Sequence, residues 1–585
     1  MTSQNELAKS NTHVTSACKL LLEAARSGVE YIFTNLGSDH PAFIEAFATL
    51  AATDERMPQI IICPHEMTAL SAAHGHALVS RRAQMVLVHV DVGTQNLGGS
   101  VHNAARSRVP AIIVAGLSPV STSGERLGAR TEFIHYTQDT SRQHEIVAQY
   151  MKWCYELRDA EMTDQILLRG LQIAQTEPQG PVYLTGAREV WEETTKAPSQ
   201  ALANWRTSQQ AGLSTEDLVN FTNAICSAKR PLIVTSYLGR QTEAVNRLVE
   251  LADQIGIAVC EVNPQYLNFP GDHPMHVGYR RNTLIDEADL IWMLDVDVPW
   301  IFSKVKPAAN TRIFHVDIDT LKASMGFWHF PAEQSWQADS LAVLNQLVEM
   351  PREVDTYDRD RRIEWIRSSQ AKLALPDLPI PANNAINVQQ LSTAIAKLID
   401  DQTVVAFEAP TATDRILDAL RMRKPGSYFA NGGSGLGWSI NAAIGIKLAQ
   451  PNADVITIVG DGSYIFGVPS STYWVAATYQ VPQLTIVINN GGWNAPKAST
   501  LLVHPQGRAL QSDQFWITST RNSRLADIAA AAGGAHAFRV SNFSELSSTL
   551  EKAVQAVRQG QTCVVEVMTL PISAQILGEK NESSL

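Results

Sequence analysis

Two runs decide the fold of this chain: Ile456-Thr457-Ile458-Val459-Gly460-Asp461-Gly462-Ser463 and, further on, Leu484-Thr485-Ile486-Val487-Ile488-Asn489-Asn490-Gly491-Gly492. Each is a short apolar or β-branched stretch ending in turn residues, and the interval between them has room for one crossover helix. That is the pattern of neighbouring parallel strands. Open α/β sheets bind ligands beyond the carboxyl ends of their strands, so both runs deliver polar groups to one edge. There Asp461 offers a carboxylate, Asn490 an amide oxygen and Gly492 a backbone carbonyl, with 490 − 461 = 29 positions from the first to the second. Such a set suits a hard cation, Mg²⁺, with diphosphate oxygens completing its octahedron. Gly462 lets backbone approach the phosphates, and Ser463 adds a hydroxyl and an N–H near a helix start. Either turn alone reads as structural. Together, at adjacent strand ends, they read as a metal–diphosphate cassette.

The order recurs near the N-terminus. Residues 85–90, Asp91 and Gly93, a helix, Val109-Pro110 and residues 111–114 parallel residues 455–459, Asp461-Gly462, a helix, Val481-Pro482 and residues 484–488. The Asp-to-Pro spacings are 110 − 91 = 19 and 482 − 461 = 21. All βαβ units look alike, yet the match suggests two related sheets that jointly clasp one ligand. Residues 232–235, 290–294 and 313–316 predict the strands of a unit between them. The polar stretch 192–210 and the segment 373–384, with Pro376, Pro379 and Pro381, read as linkers. The expected architecture is α/β, three doubly wound parallel-sheet domains over residues 1–190, 212–345 and 385–570.

Composition narrows the function. The 585 residues carry 47 Lys+Arg against 58 Asp+Glu, a net charge of −11, which argues against nucleic acid as a partner. Hydrophobic residues make up 45% and charged residues 18%, so a large core is available. No apolar run approaches the ~18–20 residues that span a bilayer, so no membrane partner is expected. Cys18, Cys63, Cys154, Cys226, Cys260 and Cys563 are widely spaced, which suits a reduced cytoplasmic protein. Glu6 and the scarcity of Arg speak against a mitochondrial presequence. The terminal Ser583-Ser584-Leu585 loosely resembles a peroxisomal tripeptide, with Ser where a basic residue belongs. A dinucleotide-binding dehydrogenase is disfavoured because no Gly-x-Gly-x-x-Gly opens the first strands.

Gly460-Asp461-Gly462 and the distant Asn489-Asn490 resemble the thiamine diphosphate signature, with an interval about two residues longer through 464–471. The chain is similar along nearly its whole length to the acetolactate synthase, pyruvate oxidase and benzoylformate decarboxylase group. Arg423-Lys424-Pro425-Gly426-Ser427-Tyr428, Gly435-Leu436-Gly437 and Ala442-Ala443-Ile444-Gly445 match the benzoylformate decarboxylases closely. The resemblance implies that the first domain binds the cofactor pyrimidine, the second has a nucleotide fold and the third holds diphosphate and Mg²⁺. It implies that Glu66, in Cys63-Pro64-His65-Glu66-Met67, hydrogen-bonds the pyrimidine and activates the cofactor. Leu436 matches the residue that props the thiazolium, the Ser434 carbonyl an acceptor for the pyrimidine amino group, and Thr411 and Thr413 phosphate contacts. Ser38 and His89 match a serine and a histidine of the benzoylformate decarboxylase site, with His40 a further proton-transfer candidate; their second histidine has no counterpart in the middle domain.

Gln95 lies near the same edge, and Trp493, Asn494 and Lys497 follow the metal loop. His74 and His76, two apart on a helix, face different sides and do not read as a metal pair. Ile313-Phe314-His315-Val316-Asp317-Ile318-Asp319 is similar to the segment beside the adenine of FAD or ADP in relatives, but the accompanying glycine turn is thin, Tyr237-Leu238-Gly239-Arg240. FAD is therefore possible but not the expectation. The resemblance also implies a homodimer or homotetramer with active sites between subunits. The favoured activity is a decarboxylase and carboligase acting on a small 2-oxo acid, as in acetolactate synthases. Alternatives are a non-decarboxylating lyase for an acyloin, a 2-hydroxyacyl thioester or a 1,2-dione, and a catalytically silent binding paralogue.

Overall fold

The structure, a computed structural model, describes residues 13–198, 205–280, 282–350 and 356–571. Glu6 and the tripeptide Ser583-Ser584-Leu585 lie outside the described residues. The N-terminal sheet runs Gln59–Ile62, Tyr31–Asn35, Gln84–Val88, Ala111–Leu117, Pro181–Ala187, Trp153–Leu157 in spatial order, all parallel. The C-terminal sheet runs Tyr428–Ala430, Thr403–Glu408, Asp454–Gly460, Leu484–Asn489, Cys563–Met568, His536–Val540, again all parallel. Numbered along the chain within each sheet, both orders are 2-1-3-4-6-5. The duplication read from the sequence is thus present in the topology. Between them stands a five-stranded parallel sheet, Ala258–Glu261, Pro231–Thr235, Leu290–Leu294, Arg312–Asp317, Gln334–Gln337, of order 2-1-3-4-5. Among the described residues no helix is long and apolar enough to cross a membrane.

The turns expected at Asp91 and Gly93 and at Gly460-Asp461-Gly462 are helix starts instead. The strand Gln84–Val88 passes through His89 directly into the helix Val90–Asn96, and Asp454–Gly460 passes directly into Asp461–Phe466. His89 and Gly460 are the respective N-caps, with nearly equal dihedrals (φ −68°, ψ 139° and φ −72°, ψ 153°). His89 therefore stands at the carboxyl edge rather than within a strand.

The two sheets are joined by the helices Glu66–Ser80 and Ser439–Ala449. His65 caps the first helix by accepting from Met67 N at 3.1 Å, and both helices are buried on nearly every face. Their backbones touch. A Cβ at Gly75 would stand 2.0 Å from the Ala442 carbonyl oxygen, and one at Gly445 would stand 1.8 Å from that of Ala72. These pairings run in opposite senses, so the helices are antiparallel. At their flank Leu78 and Val109, Tyr237 and Tyr266, and Phe429 and Trp438 share one apolar cluster, which ties all three units together.

His74 lies in this interface with its ring 5.3 Å from that of Trp438, and burial lowers its pKa to about 3. His76 contacts Ser80 and Tyr31 instead, and burial lowers it to about 4. Both are neutral in the fold at neutral pH. Once the unfolded chain takes up protons, below about pH 6.5, stability must fall as the pH drops towards 4. His74→Gln should flatten the decline of melting temperature between about pH 6 and 4, read by differential scanning fluorimetry. An unchanged slope would show that His74 does not couple the interface to protons.

Candidate active site

At the N-terminal sheet edge, Glu66 opens its helix and is buried. Asn35 Nδ2, at the end of Tyr31–Asn35, donates to Glu66 Oε1 at 2.9 Å; Asn96 Nδ2 donates to Oε2 at 3.0 Å. His89 is adjacent. A Cβ at Gly93 would stand 3.2 Å from His89 Cβ and 3.3 Å from Glu66 Oε1. His89 Nδ1 lies 2.5 Å from Asp39 Oδ1, and Nε2 lies 2.8 Å from Gln138 Oε1. His40 Nδ1 accepts from Gly37 N at 3.0 Å and lies 2.9 Å from Asp39 Oδ1. Burial alone would raise the Asp39 pKa, but His40 and His89 outweigh it and hold the carboxyl below the ordinary range. Burial disfavours the His89 cation, yet the Asp39 hydrogen bond and charge prevail and raise its pKa. The buried Ser38 Oγ has no partner among the described residues. The structure thus gathers Glu66, His89, Ser38 and His40 at one edge. Gln95 is exposed beside Asn96. Sequence reasoning missed Asn35, Asp39, Asn96 and Gln138, which only the sheet edge brings together.

The C-terminal edge gathers the cassette. Asp461 Oδ1 accepts from Gly462 N at 2.8 Å; Oδ2 accepts from Gly492 N at 2.8 Å and from Thr520 Oγ1. Burial raises the Asp461 pKa against these bonds. Asn494 Nδ2 donates both to Asn490 Oδ1 at 2.7 Å and to the Gly492 carbonyl at 3.0 Å. Two of the three expected ligand oxygens therefore converge on one donor, as oxygens facing a cation do. The donor set fits a hard cation. The space over Gly462 is taken by a ring: a Cβ there would stand 1.8 Å from Trp493 Nε1. That buried indole N–H has no acceptor among the described residues, which suits an anionic oxygen beside the cassette. Ser463 is buried in the helix Asp461–Phe466. The longer interval forms a break at Gly467-Val468 before the helix Pro469–Thr478, with Val468 at φ 52°. Lys497 pairs with Asp513 at 3.6 Å and covers the Phe515 ring, away from the ligand oxygens.

Ser434, Leu436 and Thr413 line a cavity of about 410 Å³ between the C-terminal and middle sheets, together with Glu408, Gln265 and Arg280. Thr413 Oγ1 is engaged by the carbonyls of Ala409 and Pro410, as a helix-start hydroxyl often is; Thr411 does not line this cavity. Glu408 accepts from Gly437 N and Ser439 N, each at 2.7 Å, and so fixes the turn carrying Leu436. Burial raises the Glu408 pKa to about 7 against those bonds.

The middle sheet does not fit a nucleotide at its strand-order reversal, between Pro231–Thr235 and Leu290–Leu294. Ser236 N and Tyr237 N both donate to the Asp295 carbonyl, at 3.0 and 3.1 Å, and close the crevice. Tyr237 Oη bonds Asp317, Lys322 Nζ lies 2.8 Å from Asp317 and 3.0 Å from Asp297, and Arg108 and Arg240 pair with Asp297 and Asp295. Arg108 also lies 3.5 Å from Asp319 and Arg240 3.6 Å from Glu177, so the charged groups at this edge are turned on one another.

Residues 16–146 match the N-terminal TPP binding domain of thiamine pyrophosphate enzymes, 220–347 their central domain and 412–567 their C-terminal TPP binding domain. The chain is 27% identical over 490 residues to a benzoylformate decarboxylase of Pseudomonas aeruginosa, covering 80% of this chain and 85% of the relative. It is 26% identical over 459 residues to the acetolactate synthase isozyme 1 large subunit of Escherichia coli, covering 76% and 77%. Among solved structures, the Rhodococcus jostii thiamine diphosphate-dependent 4-hydroxybenzoylformate decarboxylase superposes with a TM-score of 0.79 at 21% identity, over 95% of this chain and 99% of that one. The benzoylformate decarboxylase of Polynucleobacter necessarius gives 0.77 at 19% identity, over 95% and 99%.

The closed crevice yields a spectral prediction. Protein purified from flavin-replete cells should lack absorbance near 450 nm, and added ADP should leave its melting temperature unchanged. Stoichiometric flavin would refute the fit argument.

Proposed function

Because the chain belongs to the thiamine pyrophosphate enzymes, we propose that it uses thiamine diphosphate and Mg²⁺ to decarboxylate a 2-oxo acid and ligate the product to a second carbonyl compound. One observation carries this reading: two sheets of the same strand order present a buried carboxylate at one edge and converging oxygens at the other. When bound, thiamine diphosphate supplies a nucleophilic carbon and an electron sink for the carbanion left beside a carbonyl. Asp461, Asn490 and the Gly492 carbonyl hold the metal, and Ser463 and the Trp493 indole N–H face diphosphate. Glu66 holds and returns a proton through a carboxylate that the Asn35 and Asn96 amides keep in place. Leu436 and the Ser434 carbonyl orient the ring system. His89, with Ser38 and His40 beside it, moves protons at the substrate. Retention of Glu66 and of all three ligand positions speaks against a silent binding paralogue.

The two halves belong to different subunits in this reading. Glu66 lies nine residues before Gly75, and Ser439 lies three before Ala442, on antiparallel helices in contact. At 1.5 Å per residue their N-termini are roughly 18 Å apart along the pair. A two-fold related copy supplies the missing edge, so the working unit is at least a homodimer. Exposed Ile62, Phe466 and Trp474 give it apolar surface to cover.

The direct test is product analysis by mass spectrometry with pyruvate, phenylglyoxylate and an acyloin, each with aldehyde acceptors. Carbon dioxide with a new aldehyde or acyloin is expected; cleavage of the acyloin alone would reassign the chain as a non-decarboxylating lyase. Glu66→Gln should retain the thermal shift produced by thiamine diphosphate and Mg²⁺ while turnover falls by orders of magnitude. Full activity in that variant would overturn the role of Glu66. Mixing inactive Glu66→Gln with inactive Asp461→Ala subunits should restore activity, since one site in each mixed dimer is intact. No recovery after verified subunit exchange would place both halves in one chain.

A further inference from the structure

We propose that Asp39 is a positioning residue: it aims the His89 ring through Nδ1 and keeps it protonated, so that Nε2 meets the substrate as a proton donor. The inference rests on the proton-transfer role given to His89 above and adds the group that sets its direction.

The fold is built around this pair. Asp39 is 2% exposed and spends one oxygen on His89 Nδ1, at 2.5 Å, and the other on Val90 N, at 3.1 Å. The carboxylate therefore grips both the ring and the N-terminus of the helix that follows it. Two glycines make the space. A Cβ at Gly37 would stand 2.1 Å from His89 Nδ1, and one at Gly116 would stand 1.7 Å from Asp39 Oδ2. On the far side Nε2 faces Gln138 Oε1 at 2.8 Å. With the amide oxygen turned towards Nε2, Gln138 accepts the second N–H of a doubly protonated imidazole whose first N–H goes to Asp39. Gln138 comes from the segment after Ile134–Thr137 and covers the nitrogen that a substrate would meet.

The cluster is not a metal site in disguise. His89 Nδ1 and His40 Nδ1 lie 2.5 and 2.9 Å from the same Asp39 oxygen, whereas ligands about 2.0–2.1 Å from a tetrahedral ion stand roughly 3.4 Å apart. The His40 Nδ1 lone pair is already taken by Gly37 N–H. The other charged and titratable groups around His89 are consistent with a cation there. Asp91 comes from its own helix and Glu66 lies across Gly93, while His40 approaches ring to ring at 6.5 Å. His135, with Arg130 and Arg188 behind it, stands towards Asp39. A fixed imidazolium offers its Nε2 proton to the developing oxyanion or carbanion and becomes neutral; Asp39 stays ionised throughout.

The test joins a direct titration to kinetics. Histidines labelled with ¹³C at Cε1 are followed by NMR against pH, with the His89 signal assigned by its loss in His89→Gln. In the unaltered protein His89 should titrate above free histidine; titration at or below the free value overturns the proposal, even if no Asp39 variant folds. In Asp39→Asn, which keeps the shape, the midpoint should move down by about one pH unit or more. The high-pH limb of kcat/KM should move with it, so that activity near pH 8 falls roughly tenfold while thiamine diphosphate affinity is unchanged. An unmoved His89 midpoint overturns the pairing. A moved midpoint with an unmoved kinetic limb overturns the donor role. Absence of turnover in the unaltered enzyme on every substrate class refutes the proposed function instead, and the NMR arm still decides the pairing.

Discussion

The close approach of two buried helices is the constraint on which the rest of the molecule depends. Ala72, Gly75, Ala442 and Gly445 bring Glu66–Ser80 and Ser439–Ala449 into backbone contact, nearer than any side chain permits. Such packing gains little from side-chain burial at the contact itself, and added methyl groups would cost about 1–3 kcal/mol each by overpacking. What it fixes is relative direction. Each helix leads away from the carboxyl edge of its own sheet, so antiparallel contact turns the two edges to opposite ends of the pair. The separation of Glu66 from the Asp461 cassette is a consequence of four small residues. The proposed dimer rests on this opposition of the two edges within one chain.

The same fold handles buried charge in three ways. Asp295, Asp297 and Asp317 are paired with Arg108, Arg240 and Lys322, with Asp319 and Glu177 at the margins, a network that joins the middle unit to the first. Breaking one partner there leaves an uncompensated buried charge, typically worth about 3–5 kcal/mol. Glu66 is held by two neutral amides, which set its position without tying it into an ion pair. Asp39 lies between, a buried acid facing two imidazoles. Stability, proton traffic and orientation are served by carboxylates of one chemistry in three environments.

Much of the fold and part of the candidate site were legible in the sequence. The strand ends at Asp461 and Asn490, the helix opening at Glu66 and the repeated order around Asp91 and Asp461 are local patterns, and local patterns survive without coordinates. Asn35, Asn96, Thr520 and the bridging amide of Asn494 were not legible, because nothing in an isolated amide announces which distant oxygen it will meet. Asp39 stands between the two candidates Ser38 and His40, and nothing local singles it out. Its partner is 50 positions away, and only the adjacency of Tyr31–Asn35 and Gln84–Val88 closes that gap. That the Cβ side of Gly462 receives the Trp493 ring was not legible either, since the contact is set by a loop 31 residues later.

The equivalence of His89 and Gly460 shows how one topology came to serve two tasks. Both cap a helix that follows the third strand of a 2-1-3-4-6-5 sheet, with dihedrals that differ by little more than ten degrees. At the C-terminal edge the cap carries no side chain, and the carboxylate that matters, Asp461, is the first residue of the helix. At the N-terminal edge the cap itself carries the imidazole, and the carboxylate reaches it from the loop after the neighbouring strand Tyr31–Asn35. The strand–helix junction points a group at the sheet edge in either case. Which group stands there, a carboxylate with converging oxygens or an imidazole with a buried carboxylate behind it, decides whether that edge suits a cation or a travelling proton. Duplicated geometry with exchanged side chains thus yields two unlike edges, which the proposed dimer brings together.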